Sequence, residues 1–211
     1  MAMKGGRGQK KARNSGSKKR KRIILICAEG DNKTETNYFK GIHRQDALIQ
    51  FTHGNETDPE KMMERLLREA ADRDMDPELG DRAYCLVDAD VNPKKDMQIA
   101  NADRVADSSP IATQIVSNPC FEIWYYCHFR YSTRQYRSSN EAVEAFKKDC
   151  MESYSKERKD MFDALSDKIK TACQNAERLR AYHLDAGHRV HSADCQPSTE
   201  VDMVVKEILK P

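Results

Sequence analysis

Arg22-Ile23-Ile24-Leu25-Ile26-Cys27-Ala28-Glu29 carries six consecutive apolar residues and stops on an acid. Such a run suits a strand covered on both faces, as the central strands of parallel sheets are. Gly30-Asp31-Asn32 then has turn composition. A helix is expected from about residue 33 to 45, with Tyr38, Phe39 and Ile42 on its apolar stripe and Thr34 at its polar first turn. Working outward, residues 48–53 read as a second strand. Asp58-Pro59 marks a helix start, with Met62, Met63, Leu66, Leu67 and Ala70 on the buried side. Residues 83–87 form a third strand that stops at Asp88; a helix at about 94–107 and a fourth strand at 111–116 follow. The order β-α-β-α-β-α-β is that of an α/β fold, a mostly parallel sheet of about four strands with right-handed crossovers.

From Pro119 the pattern turns helical. Residues 120–129 supply the aromatic part of the core, 140–150 and 160–186 read as amphipathic helices, and 199–209 as a closing one capped by Ser198-Thr199-Glu200. The expected organisation is a basic arm over 1–21 and a single domain over 22–211. That domain divides into an α/β core (22–118) and a helical extension (119–211) packed on it.

Composition narrows the function classes. A chain of 211 residues buries one good core. Its longest apolar stretch, residues 23–28, falls far short of the roughly 20 residues that span a bilayer. The basic start has no h-region behind it. A soluble cytoplasmic protein without a membrane partner is the expectation. Seven cysteines without a Cys-x-x-Cys pair argue for reduced thiols. Of the 36 Lys and Arg residues, ten fall within residues 1–22, which hold no acid; the remaining 26 face 34 acids, a net of −8. A basic arm on an acidic body points to contact with phosphate, with Lys18, Lys19, Arg20, Lys21 and Arg22 as candidate nucleic-acid ligands. The bland reading of the same arm is a solubilising tail.

Ligands of open parallel sheets bind at the carboxyl ends of the strands. Two such ends carry acids: Glu29 after the first strand, Asp88 and Asp90 after the third. In extended chain a spacing of two sets Asp88 and Asp90 on one side, about 6.6 Å apart at Cα. Three carboxylates at an open edge suit Mg²⁺, or Mn²⁺, which takes a few protein oxygens, several waters and substrate phosphate. Without a cation they would repel one another. An isolated Asp-x-Asp is also common as a pair of solvated acids; the turn glutamate is what raises it to a metal-site candidate.

Four blocks carry a resemblance: Glu29-Gly30-x-x-x-Thr34-Glu35-x-x-Tyr38-Phe39; Val87-Asp88-x-Asp90; Ser117-Asn118-Pro119-Cys120-Phe121-Glu122-x-Trp124; and Pro197-Ser198-Thr199-x-Val201. In that order, over nearly all of the chain after residue 20, they resemble the RloB-like proteins. The resemblance implies a Toprim-like Rossmannoid fold and membership of bacterial defence loci, usually beside an ABC-type ATPase, RloA; AbiL-type abortive-infection pairs are organised similarly. It implies Glu29 as general acid/base and metal contact, Asp88 and Asp90 as Mg²⁺ ligands, and metal-dependent attack on the phosphodiesters of RNA, transfer RNA or DNA; the Toprim core does not itself decide between hydrolysis and strand transfer, and hydrolysis is the expectation. No topoisomerase-type tyrosine domain fits in this length. The competing reading, from another class, is a noncatalytic module that binds nucleic acid or the ATPase. A third, a phosphatase-like hydrolase with Asp88 as nucleophile, fits Glu29 less well. Homo-oligomerisation is left open.

Other residues have structural accounts beside functional ones. Glu35 sits where acids favour a helix dipole, and Thr34 where a hydroxyl caps a helix. Glu122, among aromatics, needs a partner and is an additional site candidate. Asn118 is a turn residue or a phosphate contact. His128 reads as a core histidine. His183, His188, His191 and Cys195 have zinc-ligand chemistry but no trusted spacing, so a solvated loop is expected there.

Overall fold

The computed structural model describes residues 20–29 and 33–210. Five strands form one sheet: β1 (Arg22–Ala28), β2 (Ala47–Phe51), β3 (Arg82–Asp88), β4 (Ala112–Asn118) and β5 (Ser198–Thr199). Their spatial order is β2-β1-β3-β4-β5. The first four run parallel and β5 antiparallel. This is the α/β architecture expected, with one strand more. A two-residue strand has no periodicity to read, and Ser198-Thr199, expected as a helix cap, instead pairs with Asn118 and Ser117.

Alternation along the strands sorts side chains to two faces. Leu25, Cys27, Ala83, Cys85, Val87 and Val116 pack with helices α2 (Pro59–Asp72) and α3 (Pro93–Ala106). Ile24, Ile26, Tyr84, Leu86 and Ile115 meet α1 (Lys33–Lys40), α4 (Glu122–Cys127), α5 (Ser139–Asp149), α6 (Met161–Leu165), α7 (Ile169–Asp185) and α8 (Val201–Leu209) on the other. Trp124, Tyr38, Tyr125, Phe121 and Phe146 are fully buried there, in edge-to-face and tilted pairs. The segment after residue 118 therefore covers, together with α1, one face and adds a strand to the sheet.

Local chemistry sets the boundaries. Asp58 caps α2 by accepting from the Lys61 amide, and Asn92 caps α3 by accepting from that of Lys94, each with proline next in line. Helix α1 is shorter than expected. It ends at Gly41, where a Cβ would lie 2.8 Å from the Cβ of Phe162. The helix expected over 160–186 is broken by a 3₁₀ turn at Ser166–Lys168 into α6 and α7.

Candidate active site at the carboxyl edge of the sheet

The strand order changes direction at β1, which is flanked by β2 and β3, and such a switch point leaves a crevice beyond the strand ends. Ala28 is registered with Leu86, so Glu29 leaves the sheet beside the Val87–Asp88 end of β3. Asp88 ends β3 opposite Ser117. Because the strand stops at Asp88, Asp90 is not in extended register with it, as the two-residue spacing had suggested. Asp90 and Val91 adopt φ of 55° and 51°, a left-handed pair that costs a β-branched residue about 1–3 kcal/mol. The turn is fastened by Ala89 N donating to Ser117 O (2.9 Å) and Asp90 N to Pro119 O (2.9 Å).

Lys95, three residues into α3, bridges two of the acids. Its Nζ lies 2.8 and 2.9 Å from the Glu29 oxygens and 2.8 Å from Asp90 Oδ2. The other Asp90 oxygen accepts from Ser139 Oγ at 2.8 Å. Burial lowers the lysine's pKa, but its bonds to Asp90 and Glu29 win and raise it. Burial pushes the Glu29 carboxyl up against the pull of Lys95.

Glu35 and Glu122 join the array from the helical face. Glu35 is in the first turn of α1, as read from sequence, and Glu122 begins α4; both are buried. Glu122 accepts from the Tyr154 hydroxyl at 2.8 Å, with Lys156 Nζ 3.8 Å away. The 150–160 segment that carries them is tied to α1: Thr34 gives its hydroxyl to the Lys156 carbonyl and Asn37 its amide to the Glu157 carbonyl. Thr34 thus fastens a loop from inside the helix. Burial, then the charges of Glu35, Glu122, Glu29 and Asp90, drive the Asp88 carboxyl well above the usual range. Burial raises Glu35 to about 8, helped by Glu122 and Glu29 and opposed by its own backbone amide and by Lys156. Five carboxylates from three elements and two turns therefore feel one another at this edge.

The remaining candidates lie elsewhere. Asn118 is buried, its amide donating to the carbonyls of Ser192 and Ala193. His128 is a core residue, its Nδ1 2.9 Å from Trp124 O; burial lowers its pKa to about 4. The 186–197 segment is a solvated loop only in its first half: residues 186–190 are largely exposed, while Ser192, Cys195 and Gln196 are buried, as is the adjoining His183. Its histidines have protein partners, His183 with His188 and Pro197 O, and His191 between Asp103 and Glu200. The start of β1 stands about 20 Å from its acidic end, six steps of roughly 3.3 Å. Arg20 is paired there with Asp81, and Arg22 with Asp46 and Glu207, which gives both arginines packing work. Lys21 is exposed at that edge, while Lys18 and Lys19 lie outside the described residues. The seven cysteines are unpaired, and among the described residues no helix is long and apolar enough to cross a membrane.

Sequence reasoning missed Lys95, Ser139, Tyr154 and Lys156. The Lys94-Lys95 pair after Asn92-Pro93 signals a basic first turn, but not which lysine turns inward. Among the described residues, no group of three or more His, Cys, Asp or Glu side chains is drawn close enough to hold a metal ion as it stands. The donor chemistry nevertheless fits a hard divalent cation: the side chains are carboxylates, burial and then the neighbouring carboxylates raise Asp88, and Lys95 already places positive charge between two of them. The family model described as RloB-like protein matches residues 24–208. No curated protein matches the chain, and no solved structure does.

Proposed function

The chain belongs to the RloB-like protein family, and on that premise we propose that it is a Mg²⁺-dependent endonuclease of the Toprim type. The observation that carries the reading is the gathering of Glu29, Asp88 and Asp90, with Glu35 and Glu122 behind them, at the switch point of a parallel sheet. Glu29, Asp88 and Asp90 would hold Mg²⁺ or Mn²⁺. Bound there, the cation supplies a Lewis acid for a phosphate oxygen and a lowered pKa for attacking water. Glu35, with its carboxyl raised to about 8, retains a proton at neutral pH and serves as the proton reserve nearest Asp88. Tyr154 and Lys156 fix Glu122, and Lys95 and Lys156 offer cationic charge to a polyanionic substrate. The substrate is nucleic acid, RNA (transfer RNA included) or DNA, and the reaction is hydrolysis. Family resemblance supports a role in cytoplasmic anti-phage defence with an ABC-type ATPase, RloA-like, as partner.

The test is cleavage of labelled RNA, transfer RNA and duplex DNA by the purified chain with Mg²⁺ or Mn²⁺, with and without the ATPase. Asp88→Ala with Asp90→Ala should abolish cutting. No product under any of these conditions ends the hydrolytic reading. One observation favours a second reading: Glu29 and Asp90 already share a cationic partner in Lys95, as suits a noncatalytic module that binds nucleic acid or the ATPase. That module predicts unimpaired phage defence in the double alanine variant.

A further inference from the structure

Lys95 is an unusual lysine. Its side chain is only 7% exposed, although an ammonium is strongly hydrated and a single exposed ion pair repays little of that hydration. Three charged contacts within 2.9 Å use all three of its protons. Those contacts are with Glu29 and Asp90, which come from different strand ends, so one side chain draws together two acids separated in the chain. They are also two of the three acids that the nuclease reading requires for its cation. A divalent ion bonding these oxygens at about 2.0–2.1 Å would sit within a few ångströms of the ammonium, and the two like charges could not share the place.

Resting on that reading, we propose that Lys95 is the resident counter-ion of the resting site. It holds Glu29 and Asp90 in place in the metal-free protein, is displaced from them when a divalent cation binds, and then turns its ammonium to the substrate phosphate. The surroundings allow this exchange. Asp90 keeps Ser139 as a partner at its other oxygen when the lysine leaves. Helix α3 is pinned by its Asn92 cap and by Asp103, which His191 contacts, so the movement is confined to a flexible four-carbon stem. Asp90, with a side chain 46% exposed, marks the open side toward which the stem can swing. Lys95 is thus a positioning residue in the resting state, and it sets the cation concentration at which the site assembles.

The experiment uses the full chain and Mn²⁺ as probe, with binding read by electron paramagnetic resonance in wild type, Lys95→Met and Asp88→Asn. Lys95→Met should bind Mn²⁺ at least about tenfold more tightly, about 1.4 kcal/mol, while cutting more slowly. A purely structural lysine would not raise metal affinity. In parallel, acylation of Lys95 in the wild type, followed by mass spectrometry, should be slow without metal and faster once Mn²⁺ is bound; this arm stands even if Lys95→Met fails to fold. Mn²⁺ bound in an Asp88-dependent way, with Lys95 still protected and with equal affinity in any folded Lys95→Met, overturns the exchange and leaves the metal reading intact. No Asp88-dependent binding in wild type overturns both.

Discussion

Raising the pH from about 6 to about 10 should release a clamp that fixes the 186–197 segment against the sheet. His191 stands between two carboxylates, with Nδ1 2.9 Å from both oxygens of Asp103 and Nε2 2.8 Å from Glu200 Oε2. Donation from both nitrogens requires the imidazolium. Burial by itself would lower the ring's pKa, but the bonds to Asp103 and Glu200 outweigh it and hold the ring at about 10. The folded value lies above the unfolded 6.5. The stabilisation is therefore fully present below about pH 6.5 and is lost as pH rises through about 10. The gap sets a ceiling of about 5 kcal/mol. Asp103 is 35% exposed, and solvent screening reduces the expected effect to about 2–3 kcal/mol. The assay is urea unfolding at pH steps from 6 to 10 for wild type and His191→Asn, asparagine being chosen because it tolerates the local φ of 60°. The variant should be less stable by that amount at pH 6, with the gap closing toward pH 10. Parallel stability profiles at all pH values would refute the reasoning.

Three further outcomes follow from the same physics. Asp88→Asn removes a carboxyl driven upward by burial and by Glu35, Glu122, Glu29 and Asp90; it should raise the Tm of the metal-free protein at pH 8 and abolish any Mn²⁺-induced rise in Tm, both read by thermal unfolding. Glu35 keeps its proton in the folded state up to about pH 8 but loses it near 4.5 when unfolded, so metal-free stability should fall as pH rises between those values, and urea midpoints of Glu35→Gln should show a flatter decline. Arg180→Met removes the bidentate partner of Asp202, which is 0% exposed and keeps only Lys206 Nζ, at 2.8 Å, as a cationic partner; urea unfolding should show a loss smaller than the roughly 3–5 kcal/mol of a wholly unpaired buried charge, largely recovered in the double variant with Asp202→Leu.

The sheet was legible because buried parallel strands announce themselves: residues 23–28 and 83–87 admit few other readings, and each ends on the acid that marks its carboxyl end. Glu29, Asp88 and Asp90 follow from that placement alone. Glu35 and Glu122 were weaker candidates because a helix-dipole acid and a buried ion pair leave the same trace in a sequence, and only the fold sets them against Asp88. Lys95 was not legible. Its inward turn depends on the left-handed Asp90–Val91 pair and on the exact start of α3, and neither has a periodic signal. The basic start of the chain misled in part, since Arg20 and Arg22 anchor the opposite end of β1 to Asp81 and to α8. The histidine segment misled for a related reason: one partner of His191, Asp103, lies 88 residues away in sequence, and the other, Glu200, is brought to it by the fold of the segment itself.

The Arg22 guanidinium donates to the carbonyls of Glu207 and Ile208 at 2.8 and 2.9 Å, across 185 residues of sequence. A strand made early is therefore fastened by a helix made 185 residues later. Until residues 198–209 emerge, β4 is a bare edge and β1 lacks its carbonyl anchors. A nascent chain, whose early elements otherwise begin to fold during synthesis, would carry its acids without the frame that lines them up. Assembly of the acidic edge in this way waits on the synthesis of residues 198–209.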